Sequence, residues 1–252
     1  MENQKRIWLV GGSSGIGLEL VKLLLENDYK IIVSARNATS SKDLIDLCLA
    51  YPQKLYLLNF NVLEEDLSLK IKEAWSIYDG LDIWFYNAGV YDMMSIKQWD
   101  KNKFINMNST NYLGVIKIMT EIVPYFIKQG FGRWIWNLSL STYFGLPNGG
   151  GYSAPKAALL NLAQSIQPEL KLNNINLQVI NHGFVKTRLT AKNSFDMPQL
   201  MTPQYAAKKI YEGLEKNSGF EISFPFKLGF FLRLLNLLPY KISLALTKKI
   251  LP

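Results

Sequence analysis

Cysteine and histidine are nearly absent from this sequence, which has one of each, Cys48 and His182. A single cysteine cannot form a disulfide within the chain, and such usage is typical of a reducing compartment. No paired-cysteine zinc pattern occurs, so no metal site is expected. The first six residues are polar and lead directly into an apolar segment, unlike a secretory signal peptide. We therefore expect a cytoplasmic protein.

Acidic residues are also in short supply, with 20 against 28 lysines and arginines and a formal net charge of +8. This balance suits a nucleic acid, a membrane surface or an anionic cofactor. The cations form no run interleaved with aromatic residues, so we expect no nucleic-acid partner. The sequence has no stretch of about 18 uncharged apolar residues either, which excludes an ordinary membrane-spanning helix.

What the chain does contain is an alternation of short β-branched or aromatic runs with longer helical patterns. The predicted strands are Ile7–Val10, Ile31–Ala35, Leu55–Phe60, Ile83–Tyr86, Trp134–Leu138, Leu177–Asn181 and Glu221–Phe224. The predicted helices are Gly15–Glu26, Glu64–Tyr78, Phe104–Gln129, Tyr152–Leu172 and a last one from Pro203 to about Lys216. This order predicts one α/β domain, residues 1–225, with a Rossmann-type doubly wound parallel sheet. An apolar, basic extension follows, residues 226–252.

A glycine-rich segment follows the first predicted strand and opens the first predicted helix. Small residues let the backbone turn tightly and approach a pyrophosphate, and the helix N-terminus offers free N–H groups to the anion. An ordinary glycine-rich turn is the alternative, but the position directly after an N-terminal strand favours nucleotide binding. The candidate cofactor-binding residues here are Gly11, Ser13, Ser14, Gly15, Ile16 and Gly17.

Tyr152 and Lys156 stand four residues apart on a predicted helix, so their side chains share one face. A free tyrosine has a pKa near 10, too high for efficient acid/base work at neutral pH. An adjacent ammonium favours the phenolate, so we expect Lys156 to lower the pKa of Tyr152.

Together these segments resemble the short-chain dehydrogenase/reductase family over roughly the first 220 residues. The resemblance implies hydride transfer between a nicotinamide and a carbonyl or alcohol carbon, with Tyr152 as acid/base and Lys156 also binding the nicotinamide ribose. It implies a serine that hydrogen-bonds the substrate oxygen. Ser139 has the family's spacing from Tyr152, and Ser141 is its rival. Asn111 resembles the family's mid-helix asparagine, which distorts the helix and holds a water that links the lysine to solvent.

The same resemblance extends to segments after the third, fourth and sixth strands. Asn87, Ala88 and Gly89 match the last three residues of the family's Asn-Asn-Ala-Gly segment. Asn61 stands where the family usually has aspartate. These segments add the cofactor-binding candidates Asn61, Val62, Asn87, Ala88, Gly89, Gly183, Val185 and Thr187. His182 replaces a proline of the family, either as a titrating group near the active site or as a tolerated loop substitution.

The end of the second strand bears on the choice of nicotinamide cofactor. Ala35 stands where an NAD-specific site has an acidic residue, and Arg36 follows it. A guanidinium binds a 2′-phosphate well, so we expect NADP(H), with hydrogen bonds from Ser34 and Asn37. NAD(H) is the alternative, because Ser14 stands where the family often has a second basic residue and Arg36 could be a solvated strand-end charge.

Large apolar residues are predicted to face the substrate, which favours a hydrophobic ketone or secondary alcohol. They are Tyr91, Met93, Met94, Tyr143, Phe144, Leu146, Phe184, Met197 and Leu200. Two other functions fit the same fold. A non-catalytic NADP(H)-binding regulator is disfavoured by the intact catalytic residues, and an epimerase or dehydratase by the lack of a longer C-terminal substrate domain.

Two parts of the sequence, the long predicted helices and the C-terminal extension, indicate what the protein binds. Homodimerisation is expected through Phe104–Gln129 and Tyr152–Leu172, as the family resemblance implies. Residues 227–252 are rich in apolar side chains and include five cations, with no acidic residue after Glu221. This pattern is typical of helices on a membrane surface. A lid or dimer element that packs its apolar face on the domain is the equal alternative.

Overall fold

Seven parallel strands form one sheet in the computed structural model, which describes residues 4–193, 195–216 and 219–249. Their spatial order is β3-β2-β1-β4-β5-β6-β7, with every neighbouring pair parallel. The strands are β1 (Arg6–Val10), β2 (Lys30–Ala35), β3 (Leu55–Asn59), β4 (Ile83–Tyr86), β5 (Gly132–Asn137), β6 (Ile175–His182) and β7 (Glu221–Phe224). The strand order reverses between β1 and β4, and a crevice is expected at such a point, outside the carboxyl ends of the strands. The predicted doubly wound parallel sheet is confirmed.

Helices connect the strands and cover the sheet. They are α1 (Gly15–Glu26), α2 (Lys42–Ala50), α3 (Ser68–Ile77), α4 (Lys101–Asn108), α5 (Gly114–Gln129), α6 (Gly150–Leu172), α7 (Pro203–Glu215), α8 (Phe226–Leu237) and α9 (Tyr240–Lys248). The predicted helix Phe104–Gln129 is divided by a π-helical turn, Ser109–Leu113. It begins earlier than predicted because the Asp100 carboxylate accepts two backbone N–H groups of the first turn of α4.

The two faces of the sheet bury different cores. Alternate residues of β1 point to opposite sides, so that Leu9 joins an aliphatic core and Trp8 an aromatic one. The aromatic core includes Trp84, whose ring centroid lies 5.1 Å from that of Trp134 and 6.2 Å from that of Trp136, both edge-on. These three buried indole N–H groups have no hydrogen-bond partner among the described residues.

The C-terminal extension packs on the domain through one side of α8. Leu232 and Leu235 are buried with Leu140 and Phe144. Arg233 forms an ion pair with Glu221 of β7. The last residues of the extension, 250–252, lie outside the described ones. Within the described ranges, no helix is both long enough and apolar enough to cross a bilayer.

Candidate active site

A cleft of about 1270 Å³ opens at the carboxyl ends of the strands. Pockets for a single small ligand usually measure about 300–1,000 Å³, so this cleft has room for a dinucleotide and a second molecule. It is lined by most of the predicted site residues. Two of them, Gly17 and Asn111, do not line it.

The glycine segment forms a cradle in which two glycines have no space for a Cβ. Gly11 has φ +95°, and a Cβ there would lie 2.5 Å from the backbone nitrogen of Ala88. A Cβ at Gly17 would lie 2.2 Å from the carbonyl oxygen of Gly11. Gly17 therefore supports the cradle from behind. Ser14 is the N-cap residue of α1, but its side chain accepts no hydrogen bond from the first turn of the helix. The Ser14 side chain therefore does not compete with an anion for those N–H groups.

A chain of amide groups connects the cradle to the buried lysine. Asn87 Nδ2 donates to the Gly11 carbonyl at 2.6 Å, and Asn137 Nδ2 donates to Asn87 Oδ1 at 2.7 Å. Lys156 Nζ then donates to the Asn137 carbonyl at 2.6 Å. Asn137 was not predicted as a site residue. An asparagine at the end of an otherwise apolar strand, two residues before Ser139, was the available signal.

Tyr152 and Ser139 meet at the centre of the cleft. The Ser139 hydroxyl lies close enough to the Tyr152 phenol to favour its ionised form by hydrogen bonding, and it accepts a hydrogen bond from the hydroxyl of Ser141 at 3.1 Å. This arrangement favours Ser139 over Ser141 as the residue that works with Tyr152. The Tyr91 ring packs edge-on against Tyr152, with centroids 5.0 Å apart.

The expected lowering of the Tyr152 pKa by Lys156 is wrong. Burial raises the pKa of Tyr152 to about 12, although the hydrogen bond with Ser139 opposes this. Burial also lowers the pKa of Lys156 to about 8. The lysine Nζ lies 5.9 Å from the centroid of the phenol ring. Desolvation therefore outweighs attraction between these two groups.

His182 ends β6 on the wall of the cleft, where its Nδ1 lies 2.7 Å from the Gly183 carbonyl oxygen. Burial lowers the pKa of His182 to about 4. The imidazole is thus neutral near neutral pH, which favours a tolerated substitution over a titrating group.

Asn111 lies in the π-helical turn and is fully buried. Its Oδ1 accepts the Val90 N–H at 2.8 Å, and its Nδ2 donates to the Val90 carbonyl at 2.9 Å. The helix is distorted here as the resemblance implied. The side-chain amide holds the loop after β4, and its role in a water path stays a prediction.

The end of the cleft beside β1 and β2 is lined by two arginines. Arg36 is exposed at the end of β2 and has no partner among the residues that the structure describes. Ser34 is less available than predicted, because its buried hydroxyl accepts the Trp8 indole N–H at 2.8 Å. Arg188, which sequence reasoning missed, donates to the Ser14 hydroxyl at 3.0 Å. Asn61 and Val62 line the same end.

The loop after β6 forms one wall of the cleft. Gly183, Val185 and Thr187 line the cleft, and Val185 forms a β-bridge with Met201. A Cβ at Gly183 would lie 2.8 Å from a ring atom of Pro225 and 3.3 Å from the Leu228 side chain, so the loop packs directly against the start of the C-terminal extension. Residue 194 of this loop lies outside the described part.

Only some of the residues predicted to face the substrate line the cleft. Four predicted residues line the cleft, namely Tyr91, Met93, Leu146 and Phe184, whereas Met94, Tyr143, Phe144, Met197 and Leu200 do not. Phe144 instead packs with α8, and the Tyr143 hydroxyl bonds Glu221 and Ser223. Residues that were not predicted complete the wall, namely Leu189, Phe195, Leu228 and Leu232. Among the described residues, no three metal-ligating side chains come together.

Comparison with known proteins gives matches over most of the chain. The family model described as short chain dehydrogenase matches residues 5–198. An uncharacterised oxidoreductase of Myxococcus xanthus is 28% identical over 232 residues, which cover 92% of this chain and 91% of that protein. A short-chain dehydrogenase structure from Streptomyces avermitilis has a TM-score of 0.82 at 19% identity and covers 98% of both chains. One from Burkholderia cenocepacia, in complex with NADP, has a TM-score of 0.81 at 18% identity, covering 99% of this chain and 98% of the other.

Proposed function

Because this chain belongs to the short-chain dehydrogenase family, we propose that it is an NADP(H)-dependent oxidoreductase of hydrophobic ketones or secondary alcohols. One observation carries the proposal. Tyr152 contacts the Ser139 hydroxyl beside buried Lys156, in a cleft whose other end is a glycine cradle. These side chains supply the proton donor, the oxygen-binding group and the cation that reduction of a carbonyl requires.

Tyr152 is the acid in this proposal. Because its pKa is about 12, the phenol holds its proton at neutral pH and can donate it to a ketone oxygen as negative charge develops there. The Ser139 hydroxyl is placed to donate a second hydrogen bond to the same oxygen. Lys156 lies close enough to favour the phenolate that is left behind.

The cleft fits a nicotinamide dinucleotide. Gly11 packs against the backbone of Ala88 with no room for a Cβ, which permits the tight turn that brings Ser13, Ser14 and Gly15 to the cleft, where a pyrophosphate could approach their backbone. The exposed guanidinium of Arg36 at the end of β2 suits a 2′-phosphate, and the NADP bound by the structural neighbour supports this choice over NAD(H). When bound, the nicotinamide would exchange a hydride with the substrate carbon. Lys156 would hold its ribose.

The substrate is proposed to be apolar because the cleft is lined in part by Tyr91, Leu146, Phe184, Leu228 and Leu232. A wall of this kind binds a substrate by burying apolar surface, while Ser139 and Tyr152 orient the carbonyl.

The test is NADPH oxidation with a panel of apolar ketones, comparing the wild type with Tyr152→Phe and Ser139→Ala. General acid catalysis contributes about 10²–10⁴-fold, so Tyr152→Phe should lower kcat by at least about 100-fold while NADPH still binds. Tyr143→Phe is the matched control, because that phenol lies outside the cleft. If Tyr152→Phe keeps most of the wild-type rate, the assigned acid is wrong.

Assembly and location complete the proposal. We propose a homodimer that pairs through α4–α5 and α6, where exposed Ile105, Leu113 and Leu172 support an apolar interface. We also propose a cytoplasmic enzyme with peripheral membrane contact, argued below. Light scattering that gives a monomeric mass at micromolar concentration would contradict the dimer.

A further inference from the structure

The last two helices carry an apolar surface that the rest of the domain leaves uncovered. Of the 25 large apolar side chains that are exposed in the described ranges, nine fall within residues 226–246. We propose that α8 and α9 form a docking surface for a phospholipid bilayer with anionic headgroups. This surface goes beyond the proposed reaction, and its test does not depend on that reaction.

Helix α8 is apolar on both sides. Its inner side, with Leu232 and Leu235, is buried against the domain. Its outer side presents Phe226, Phe230, Leu234 and Leu237, which share one face because they are spaced four, four and three residues apart. Phe226 and Leu237 are 79% and 82% exposed. A helix that is apolar all round belongs in a fully buried or lipid environment, and here only one side is buried.

Helix α9 buries polar residues and exposes apolar ones, which is the inverse of a helix on the surface of a water-soluble protein. Its buried residues are the polar Ser243 and Thr247, whose hydroxyls donate to carbonyls of the same helix. Its large apolar residues face outward, namely Tyr240, Ile242, Leu244 and Leu246. The usual arrangement, with apolar residues inside and polar ones outside, is thus reversed, as expected for a helix that lies on an apolar phase.

The charges of this surface select an anionic partner. Lys227, Lys241, Lys248 and Lys249 are exposed, and none has an ion-pair partner in the described part of the chain. Glu221 of β7 is already paired with Arg233 of α8, so it does not neutralise these lysines. Cations beside outward-facing phenylalanine and leucine are the pattern that binds anionic lipid surfaces.

A second copy of the chain fits this surface less well than a bilayer does. A two-fold dimer would place the same patch on both sides of the interface. Each patch carries four unpaired lysines and no acidic residue. The cations of the two copies would therefore face each other, whereas anionic headgroups would neutralise them.

The docking surface lies close to the cleft, because α8 contributes to both. Leu228 and Leu232 line the cleft from the inner side of α8, and the outer side of the same helix presents Phe230. A bilayer against the outer side would therefore lie one helix diameter, about 10 Å, from the cleft wall.

Vesicle flotation with the full-length protein tests the proposal. We expect the protein to float with vesicles of phosphatidylcholine and phosphatidylserine and to stay behind with phosphatidylcholine alone. Added salt should weaken the binding without abolishing it. Phe230→Ser with Leu234→Ser should weaken binding at least tenfold, while the matched control of Leu49→Ser with Leu69→Ser, both exposed on other helices, should not.

Charge neutralisation gives a second measurement. Lys241→Gln with Lys248→Gln should weaken binding to anionic vesicles about 25-fold, or about fivefold per cation. The control is Lys72→Gln with Lys171→Gln, exposed lysines on α3 and α6. An unchanged far-UV circular dichroism spectrum would establish that each variant is folded.

Two results would overturn the proposal. The first is a full-length protein that stays in the unbound fraction with both kinds of vesicle. The second is a Phe230→Ser, Leu234→Ser variant that binds vesicles as the wild type does. If that variant instead turns a dimer into a monomer in light scattering while neither form binds lipid, the surface is an interface between copies.

Discussion

The two halves of the cleft are built from different parts of the chain and in different ways. The nucleotide half lies at the ends of β1 to β3, and its shape depends on close backbone packing at Gly11 and Gly17, where there is no room for a Cβ. The substrate half lies beyond β5 and β6 and is formed by large side chains such as Phe184 and Leu232. Glycines packed this closely tolerate few substitutions. Large side chains that line a cleft can be exchanged for others, which changes the ligand that fits while the fold stays intact.

The catalytic residues lie where these halves meet. Lys156 reaches the nucleotide half through Asn137 and Asn87, and Tyr152 packs against Tyr91 of the substrate half. The chemistry can therefore be retained when only one half changes. Four predictions test this contrast, beginning with the largest expected effect.

One glycine from each half gives the sharpest comparison. Gly17→Ala places a Cβ 2.2 Å from a backbone oxygen, so we expect a loss of about 3 kcal/mol or more in the free energy of unfolding and loss of NADPH binding. Gly145→Ala, next to Leu146 of the substrate half, meets its nearest atom at 3.8 Å. Its effect should stay below about 1 kcal/mol. Urea denaturation checks both, and equal losses would contradict the contrast.

Lys156, at the junction, should give the cofactor-free protein a pH-dependent stability. Burial lowers its pKa to about 8, whereas the unfolded chain keeps a value of about 10.4. Between these values the unfolded chain binds more protons than the folded one, so stability rises with pH. From about pH 8 to about pH 10 we expect a gain of about 2–3 kcal/mol that Lys156→Met lacks.

Urea denaturation at both ends of this pH range measures the gain. Lys171→Met, which replaces an exposed lysine of the same helix, should behave as the wild type does. A Lys156→Met variant with the pH dependence of the wild type would show that Lys156 is not the group responsible.

Arg36 should separate the two nicotinamide cofactors. Its exposed guanidinium lies at the end of β2, so Arg36→Ala should weaken NADPH by about 2 kcal/mol, as for a charge-assisted hydrogen bond. NADH has no 2′-phosphate and should lose little. Fluorescence titration gives both dissociation constants. Equal losses, or tighter binding of NADH by the wild type, would argue against NADP(H).

Arg188 should have a smaller effect that does not distinguish the cofactors. It extends from the loop after β6 to Ser14 of the cradle, at 3.0 Å. A pyrophosphate in the cradle would lie beside it, and both cofactors carry one. We expect Arg188→Ala to weaken NADPH and NADH alike, by about tenfold or 1.4 kcal/mol. A loss confined to NADPH would assign Arg188 to the 2′-phosphate instead.

The sequence was most informative where structure is local. Strands such as β4 were predicted with their observed bounds, because β-branched and aromatic runs indicate them directly. The Tyr152 and Lys156 pair needed only helical spacing, and the cradle only its glycines. These features depend on neighbours along the chain.

Features that depend on tertiary packing were missed. The contact between Arg188 and Ser14 joins residues 174 positions apart. The raised pKa of Tyr152 comes from burial by surrounding segments, which the spacing to Lys156 does not reveal. The direction of Phe144, away from the cleft, was likewise set by α8. The sequence of α9 does not reveal that its polar residues are buried and its apolar residues exposed, because it does not show which face packs on the domain.

The aromatic core on one face of the sheet also has an optical consequence. Trp84, Trp134 and Trp136 are buried together in β4 and β5, two strands whose ends border the cleft. Indoles in such dry surroundings emit toward the blue, and their emission overlaps the absorption band of a reduced nicotinamide. Energy transfer from this cluster would dim its emission when NADPH enters. Each molecule thus contains an unlabelled reporter of cradle occupancy, readable in variants that have lost all turnover.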